Sequence, residues 1–219
     1  MAIGSIFWPA AAPSTLRDRV ATVPVEPERT LTIAAFGSSL TRRALWPGRL
    51  KDALAACGIG AAPAIVIAQA GAGSPEGADL IGTAPGPFDV VLLEFAINDA
   101  DLIDGVPRAV SRSNHRRMIS ALRSRDPEVA IILIATNPVS GVQKLKRPKL
   151  MAYYDDYSLL AEEADTGFFD GTARWIAADP GPEAVPDGLH PVPAVEADLY
   201  TVPIRDLIAG TLGRDCKEP

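Results

Sequence analysis

The chain has 219 residues, of which 47% are hydrophobic and 22% are charged, and its formal net charge is −6. This length and composition are typical of one soluble α/β domain with a substantial core. The negative balance argues against a general affinity for nucleic acid, whose phosphates the chain would repel. No apolar run reaches the roughly 18 residues of a transmembrane helix, so no membrane span is predicted.

Residues 1–30 are rich in proline and show little periodicity, which predicts an extended arm on the domain or a leader. The aromatic pair Phe7 and Trp8 is expected to pack on the domain or on a neighbouring subunit. The first residues lack a basic segment, so they are a poor signal peptide. The cytoplasm is therefore the default expectation, with the periplasm and secretion left open. A single domain is predicted at 31–212, followed by a tail at 213–219.

Short apolar runs alternate with segments of helical spacing along the whole chain. Strand followed by helix, repeated, predicts a three-layer α/β/α sandwich with a five-stranded parallel sheet, similar to flavodoxin. The continuous apolar character of 64–68 predicts a strand covered on both faces. The predicted strands lie at 31–36, 64–68, 88–95, 129–135 and 167–170.

Helical spacing predicts one helix from Thr41 to Cys57, others at 107–125 and 192–209, and one that carries three tyrosines after residue 150. Arginines at four-residue spacing in 107–125 predict a solvated face. Cys57 and Cys216 are the only cysteines and are not spaced as a metal or redox motif, so Cys57 is expected simply to be buried.

The first predicted strand ends in Gly37-Ser38-Ser39. Such a turn can hold a hydroxyl at the carboxyl edge of the sheet, where open α/β sheets bind their ligands. Ser39 is therefore a candidate nucleophile. The alternative interpretation is that this serine only caps the next helix.

A serine nucleophile requires a base, and the chain contains two histidines. His190 lies three residues after Asp187 in a loop bounded by glycine and proline, so one turn can present both side chains. The carboxylate would then fix the orientation of the imidazole. His115 lies among arginines in a predicted helix and is expected to be a surface histidine.

Two later turns carry candidate hydrogen-bond donors. Gly71 can be a flexible strand-to-helix turn and Asn98 a turn residue without further role. In the functional interpretation, Gly71 lets its backbone N–H approach an oxyanion without a Cβ in the way, and the Asn98 amide is a second donor. Glu94, near the end of a buried strand, needs a partner and is assigned no catalytic role.

Four segments of the chain resemble the sequence blocks of the SGNH (GDSL-type) hydrolases, in the order of that family. Ser38 stands where the family usually has Asp, and Ala96 where it usually has Gly. The segments are Gly37–Thr41, Ala70–Ser74, Ala96–Asp99 and Asp187–His190.

The resemblance implies Ser39 as nucleophile, His190 as general base and then acid, and Asp187 as its orienting partner. It implies an oxyanion hole formed by the N–H groups of Ser39 and Gly71 and the side-chain amide of Asn98. It also implies the three-layer fold, with no metal and no cofactor.

The implied function is hydrolysis of a small acyl ester, such as acetyl on a carbohydrate, through an acyl-enzyme; the expected partner is thus a small-molecule or carbohydrate ester. One alternative is a lysophospholipase or thioesterase-like hydrolase for longer acyl chains, with an apolar groove beside Ser39. Another is a silent carbohydrate-binding protein of the same fold. A general α/β-hydrolase is disfavoured because the turn lacks the closing glycine of a nucleophile elbow.

Overall fold

A computed structural model of the protein describes residues 16–21 and 29–216. In these ranges the strands are β1 (Ile33–Gly37), β2 (Ile65–Ala68), β3 (Val90–Glu94), β4 (Ala130–Ala135) and β5 (Gly167–Asp170). The helices are α1 (Ser39–Arg43), α2 (Trp46–Ala55), α3 (Ser74–Thr83), α4 (Ala96–Asp99), α5 (Arg108–Arg125), α6 (Gly141–Lys146), α7 (Leu150–Glu163), α8 (Gly171–Ala178) and α9 (Pro193–Thr211).

The strands form one sheet in the order β2-β1-β3-β4-β5, and every pair is parallel. This confirms the predicted five-stranded parallel sheet. The connections after β1 and β3 leave in opposite directions, and open α/β sheets bind their ligands at the carboxyl edge beside such a reversal. Gly37 at the end of β1 is in register with Glu94 at the end of β3. The turns that follow these two strands are therefore neighbours.

Helices cover both faces of the sheet and produce the predicted three layers. Alternate side chains of β3 point to opposite faces, as a pleated strand requires. Val91 and Leu93 pack in the cluster covered by α3, α5 and α7. Val90 and Leu92 pack in the cluster covered by α2, α8 and α9.

Two predictions about local structure are wrong. β2 is the edge strand, and Ile65 and Val66 are 44% and 43% exposed, so the strand is not covered on both faces. An apolar run cannot distinguish an edge strand from a central one. The helix predicted from Thr41 to Cys57 is divided into α1 and α2, because Pro47 cannot continue a helix but suits the first turn of a new one.

The two cysteines are joined. Cys57, just after α2, and Cys216, beyond the end of α9, form a disulfide with Cα atoms 5.2 Å apart. The expectation of a simply buried Cys57 is therefore wrong, because the residue is half-buried and lies in a disulfide. The sequence separation is 159 residues, so no local spacing could have indicated the pair.

Part of the N-terminal arm lies along the sheet. The backbone of Arg19 exchanges hydrogen bonds of 2.9 and 2.8 Å with that of Phe168 in β5. Phe7 and Trp8 lie outside the described residues. Within the described residues, no helix is both long and apolar enough to cross a bilayer.

Candidate active site

The turn after β1 and the loop before α9 meet at the carboxyl edge of the sheet. Ser39 is the first residue of α1, and its Oγ lies 2.9 Å from Nε2 of His190. Nδ1 of His190 lies 2.7 Å from Oδ2 of Asp187. The structure thus arranges a hydroxyl, an imidazole and a carboxylate in one hydrogen-bonded series.

The loop that carries the imidazole is held in shape by the carboxylate. Oδ1 of Asp187 accepts hydrogen bonds from the backbone N–H of Leu189 at 2.9 Å and of His190 at 2.7 Å. Gly188 has φ +78°, and a Cβ there would lie 2.6 Å from the carbonyl oxygen of Ser140. The backbone N–H of Ser140 in turn donates to the Gly188 carbonyl at 2.9 Å. The loop is thereby fastened to the segment before α6.

The same contacts keep the Asp187 carboxylate ionised. Burial acts to raise the pKa of Asp187, but hydrogen bonds from the backbone and ring of His190 and from Leu189 outweigh it, and the pKa falls to about 2. The group is therefore negative near neutral pH. A negative carboxylate at Nδ1 holds the tautomer that leaves Nε2 free to accept a proton, and it stabilises the imidazolium once formed.

The Asn98 amide is oriented at both ends. Its Nδ2 donates to the carbonyl of Ala72 at 3.0 Å, and Nη2 of the buried Arg147 approaches its Oδ1 at 3.4 Å. Nε of Arg147 also donates to the Ile97 carbonyl at 2.8 Å, and its Nη2 lies 3.1 Å from Asp101 Oδ2. An amide has two N–H donors, so Ala72 occupies one and leaves the other for a ligand.

Arg147 is a site-supporting residue that the sequence analysis missed. In the sequence it stands in a short basic run with three lysines, which indicates only a solvated surface. No local signal distinguishes Arg147 from the neighbouring lysines, because its burial depends on its contacts with Ile97 and Asn98 in α4.

Gly71 has φ +79°, and a Cβ built there would meet nothing within 4 Å among the described residues. The left-handed backbone conformation by itself favours glycine here, and the approach of its N–H to an oxyanion stays a prediction. Ser39 is at the first position of α1, so its N–H is not used by the helix's own hydrogen bonds.

His115 is not a surface histidine, and that prediction is wrong. Its side chain is fully buried, with Nδ1 2.8 Å from the Ser111 carbonyl oxygen and Nε2 2.8 Å from the Tyr157 hydroxyl. That hydroxyl accepts hydrogen bonds from the backbone N–H of Phe95 and Ala96, where β3 ends. Burial lowers the pKa of His115 despite the opposing effects of Asp99 and the Ser111 carbonyl. The histidine is a neutral structural group.

The arginines near His115 follow the solvated side of α5, as predicted. Arg108 donates to Asp156 at 2.7 Å, and Arg112 and Arg116 both pair with Glu163 at 2.6 and 2.5 Å. Adjacent positions on a helix face different directions, so an arginine-rich segment can still carry one fully buried side chain.

Replacing His115 with alanine is expected to lower the free energy of unfolding by about 2–4 kcal/mol, through a cavity and an unpaired Tyr157 hydroxyl. Because the pKa of His115 is lowered in the folded protein, the unfolded chain binds a proton more readily than the folded one. The wild type should therefore lose stability as pH falls below about 6.5, and the variant should lose less. Urea denaturation across pH measures both effects. An equally small change in His115→Ala and in the exposed control Arg116→Ala would contradict this prediction.

The sequence profile of the GDSL-like lipase/acylhydrolase family matches residues 34–196. No curated protein sequence matches the chain. The matched range contains every residue of the hydrogen-bonded series described above, together with Gly71 and Asn98.

Solved structures share this fold at low sequence identity. A lipase/acylhydrolase from Enterococcus faecalis superposes with a TM-score of 0.67 at 21% identity, over 80% of this chain and 96% of the other. A carbohydrate acetylesterase family member from Sinorhizobium meliloti gives 0.66 at 19%, over 84% and 100%. A catalytic mutant of an acetylxylan esterase from Geobacillus stearothermophilus gives 0.62 at 16%, over 89% and 100%.

Proposed function

Because the chain belongs to the family of GDSL-like lipases and acylhydrolases, we propose that Ser39, His190 and Asp187 are the catalytic triad with which it hydrolyses esters. The observation that carries this proposal is the series of two contacts, 2.9 Å from Ser39 Oγ to His190 Nε2 and 2.7 Å from His190 Nδ1 to Asp187 Oδ2. Both distances lie within the range for proton transfer through a hydrogen bond.

In the first half-reaction, Ser39 Oγ attacks the ester carbonyl carbon while its proton passes to Nε2 of His190. The bond to the alcohol oxygen then breaks, and the imidazolium donates the proton to the leaving alcohol. This leaves an acyl group on Ser39. Asp187 stays ionised throughout and stabilises the positive ring.

In the second half-reaction, water gives a proton to Nε2 of His190 and attacks the acyl carbonyl. The bond to Ser39 Oγ breaks, and the serine recovers its proton from the ring. In both steps the carbonyl oxygen becomes an oxyanion, which we assign to the N–H groups of Ser39 and Gly71 and the free amide N–H of Asn98. Donors held in place beforehand stabilise the developing charge without reorganising.

For the acyl group, we propose a short one such as acetyl, carried on a carbohydrate. Two of the structural neighbours are named as acetylesterases of carbohydrates, which supports this substrate class without deciding it.

The test is hydrolysis of p-nitrophenyl esters of increasing acyl length, followed by acetylated sugars. We expect kcat/KM to be highest for acetate and to fall about tenfold or more by octanoate, because a site shaped for a short acyl group cannot hold a longer chain without strain. An activity that rises steadily with chain length would contradict the short-acyl proposal.

One surface feature favours a second candidate, hydrolysis of longer acyl esters. Leu102, Ile103, Val142 and Leu145 are 64%, 76%, 67% and 75% exposed, the four highest values among large hydrophobic residues of the described chain. They lie on two adjoining segments, since the Leu102 N–H donates to the Lys146 carbonyl at 2.9 Å. An exposed cluster of this kind usually contacts a ligand or a partner.

Both segments of this exposed cluster border the site. Leu102 is four residues after Asn98, and Val142 is two residues after Ser140, which contacts the loop that carries His190. If the cluster binds an acyl chain, replacing Val142 and Leu145 with serine should lower kcat/KM for the decanoate ester about tenfold. The value of kcat/KM for the acetate ester should not change. Serine at Leu159 and Ile176, exposed apolar residues on other helices, is the matched control. Equal effects on acetate and decanoate would exclude this role.

A further inference from the structure

The turn that carries Ser39 is tied to a buried carboxyl group that the mechanism does not use. Oε2 of Glu94 accepts hydrogen bonds from Ser38 N–H at 3.0 Å, from Ser38 Oγ at 2.7 Å and from Thr41 Oγ1 at 3.0 Å. These donors stand on both sides of Ser39. One oxygen atom is therefore hydrogen-bonded to residues on both sides of the nucleophile.

The turn is also held by Leu40, which is buried in the core, and by short local hydrogen bonds. α1 is only five residues long, too short to be stable as an isolated helix. It is capped by Ser38, whose Oγ accepts from the Leu40 N–H at 3.2 Å while donating to Glu94. Glu94 ends β3, so its hydrogen bonds link a central strand of the sheet to the helix that begins with Ser39.

The same contacts give a role to the serine that stands where the family usually has Asp. Ser38 is fully buried and supplies two of the three donors to Glu94. The carboxyl group near the nucleophile thus comes from the neighbouring strand and not from position 38.

We propose that Glu94 is a positioning residue: through Ser38 and Thr41 it holds the Ser39 hydroxyl in line with His190. This inference rests on the proposed function of Ser39. Glu94 itself reaches the reacting atoms only through the turn.

A second buried carboxyl group, that of Glu196, interacts electrostatically with Glu94. Glu196 is 2% exposed and lies in the first turn of α9, six positions beyond His190. Glu94 Oε1 is buried without a hydrogen-bond partner among the described residues. Burial raises the pKa of Glu94 to about 7 against the hydrogen bonds from Ser38 and Thr41. Burial and the charge of Glu94 raise the pKa of Glu196 to about 8.

The charge of Glu94 also acts on the hydroxyls of Tyr154 and Tyr157 on α7. Burial is the main cause that raises the pKa values of both tyrosines. They stay neutral over the range in which the two carboxyl groups titrate. Near neutral pH the carboxyl pair retains a proton, and at alkaline pH it carries two negative charges in a buried space. Repulsion between those charges should then loosen the turn at Ser39.

The test compares three variants with the wild type, using p-nitrophenyl acetate and a fluorophosphonate probe. Glu94→Ala should lower kcat and the rate of probe labelling about 100-fold with KM within about twofold, because it misplaces the nucleophile without touching the substrate. Glu94→Gln keeps an acceptor and should retain kcat within about threefold at neutral pH. The wild type should lose kcat above about pH 8 while circular dichroism shows it folded, and Glu94→Gln should not.

Asp89 offers a matched control at the opposite end of β3. Its Oδ2 accepts from the backbone N–H and Oγ1 of Thr32, both at 2.7 Å, as Glu94 Oε2 accepts from those of Ser38, and its Oδ1 also pairs with Arg29. Asp89 lies far along the strand from Ser39. Asp89→Asn should lower the melting temperature but leave kcat unchanged.

Two results would overturn the inference. One is a kcat in Glu94→Ala no lower than in Asp89→Asn, and the other is an alkaline loss of kcat that is the same in Glu94→Gln and the wild type. If Glu94→Ala does not fold, Thr41→Val, which removes one of the three donors to Glu94, replaces it, and a kcat no lower than in Asp89→Asn would again overturn the inference. Hydrolysis by Ser39→Ala at the rate of the wild type would instead refute the proposed function. The two failures are therefore distinguishable.

Discussion

Replacing Ser39 with alanine is expected to lower kcat for ester hydrolysis by about 10⁵- to 10⁶-fold and to abolish labelling by a fluorophosphonate. The reason is that Ser39 Oγ is the atom that lies 2.9 Å from the imidazole of His190, so its removal leaves the base without a nucleophile to activate. The measurement is single-turnover hydrolysis of p-nitrophenyl acetate together with mass spectrometry of the labelled protein.

The control is Ser120→Ala, which removes an exposed hydroxyl on α5. It should leave both rate and labelling unchanged. Ser39→Ala should keep the melting temperature of the wild type within a few degrees, since its Oγ contributes only one partly exposed hydrogen bond to the fold. Labelling that persists in folded Ser39→Ala would show that another residue is the nucleophile.

Replacing Asp187 with asparagine is expected to lower kcat about 10³- to 10⁴-fold while the loop keeps its shape. The amide oxygen can still accept from the N–H groups of Leu189 and His190, as Oδ1 does in the wild type. The amide NH₂ then faces Nδ1, which favours the ring tautomer with the proton on Nε2. That tautomer cannot accept the proton of Ser39.

The pH profile provides a second measurement of the role of Asp187. The pKa of Asp187 is lowered to about 2 in the folded protein. The carboxylate therefore stabilises the fold at any pH above its pKa in the unfolded chain, and this stabilisation is lost only as pH falls toward 2. The acid limb of kcat/KM should therefore not arise from Asp187. Asp179→Asn is a matched control, because Asp179 is exposed and has φ 42°, which asparagine tolerates. Equal activity of Asp187→Asn and Asp179→Asn would remove Asp187 from the mechanism.

The order and type of the main elements followed from hydrophobic pattern alone. A parallel sheet covered by helices on both faces needs long apolar runs in its central strands, and β1, β3 and β4 have them. The same runs do not reveal neighbours across the sheet, which is why β2 was wrongly predicted to be covered. The prolines did not locate the helix ends in the predictions: Pro47 lies in the first turn of α2, within what was predicted as one helix, and Pro203 lies inside α9 without ending it.

The candidate catalytic residues could be named because they lie in short turns and because those turns resemble the SGNH sequence blocks. Asp187 and His190 are three residues apart, and Ser39 directly follows a strand, so local geometry limits where their side chains can point. The partners of the buried polar groups could not be predicted, for the opposite reason. His115, Arg147 and Glu94 form hydrogen bonds with partners 42, 49 and 56 residues away, which no local pattern encodes.

What the sequence determined by itself is the class of fold and the turns that end its strands, since both depend on interactions among residues close in the chain. Only the tertiary structure decided which buried polar groups meet. A carboxyl group, an imidazole or a guanidinium in a low-dielectric interior must find a partner, and that partner is set by the packing of whole strands and helices. The contact between Glu94 and the turn at Ser39 is of this second kind.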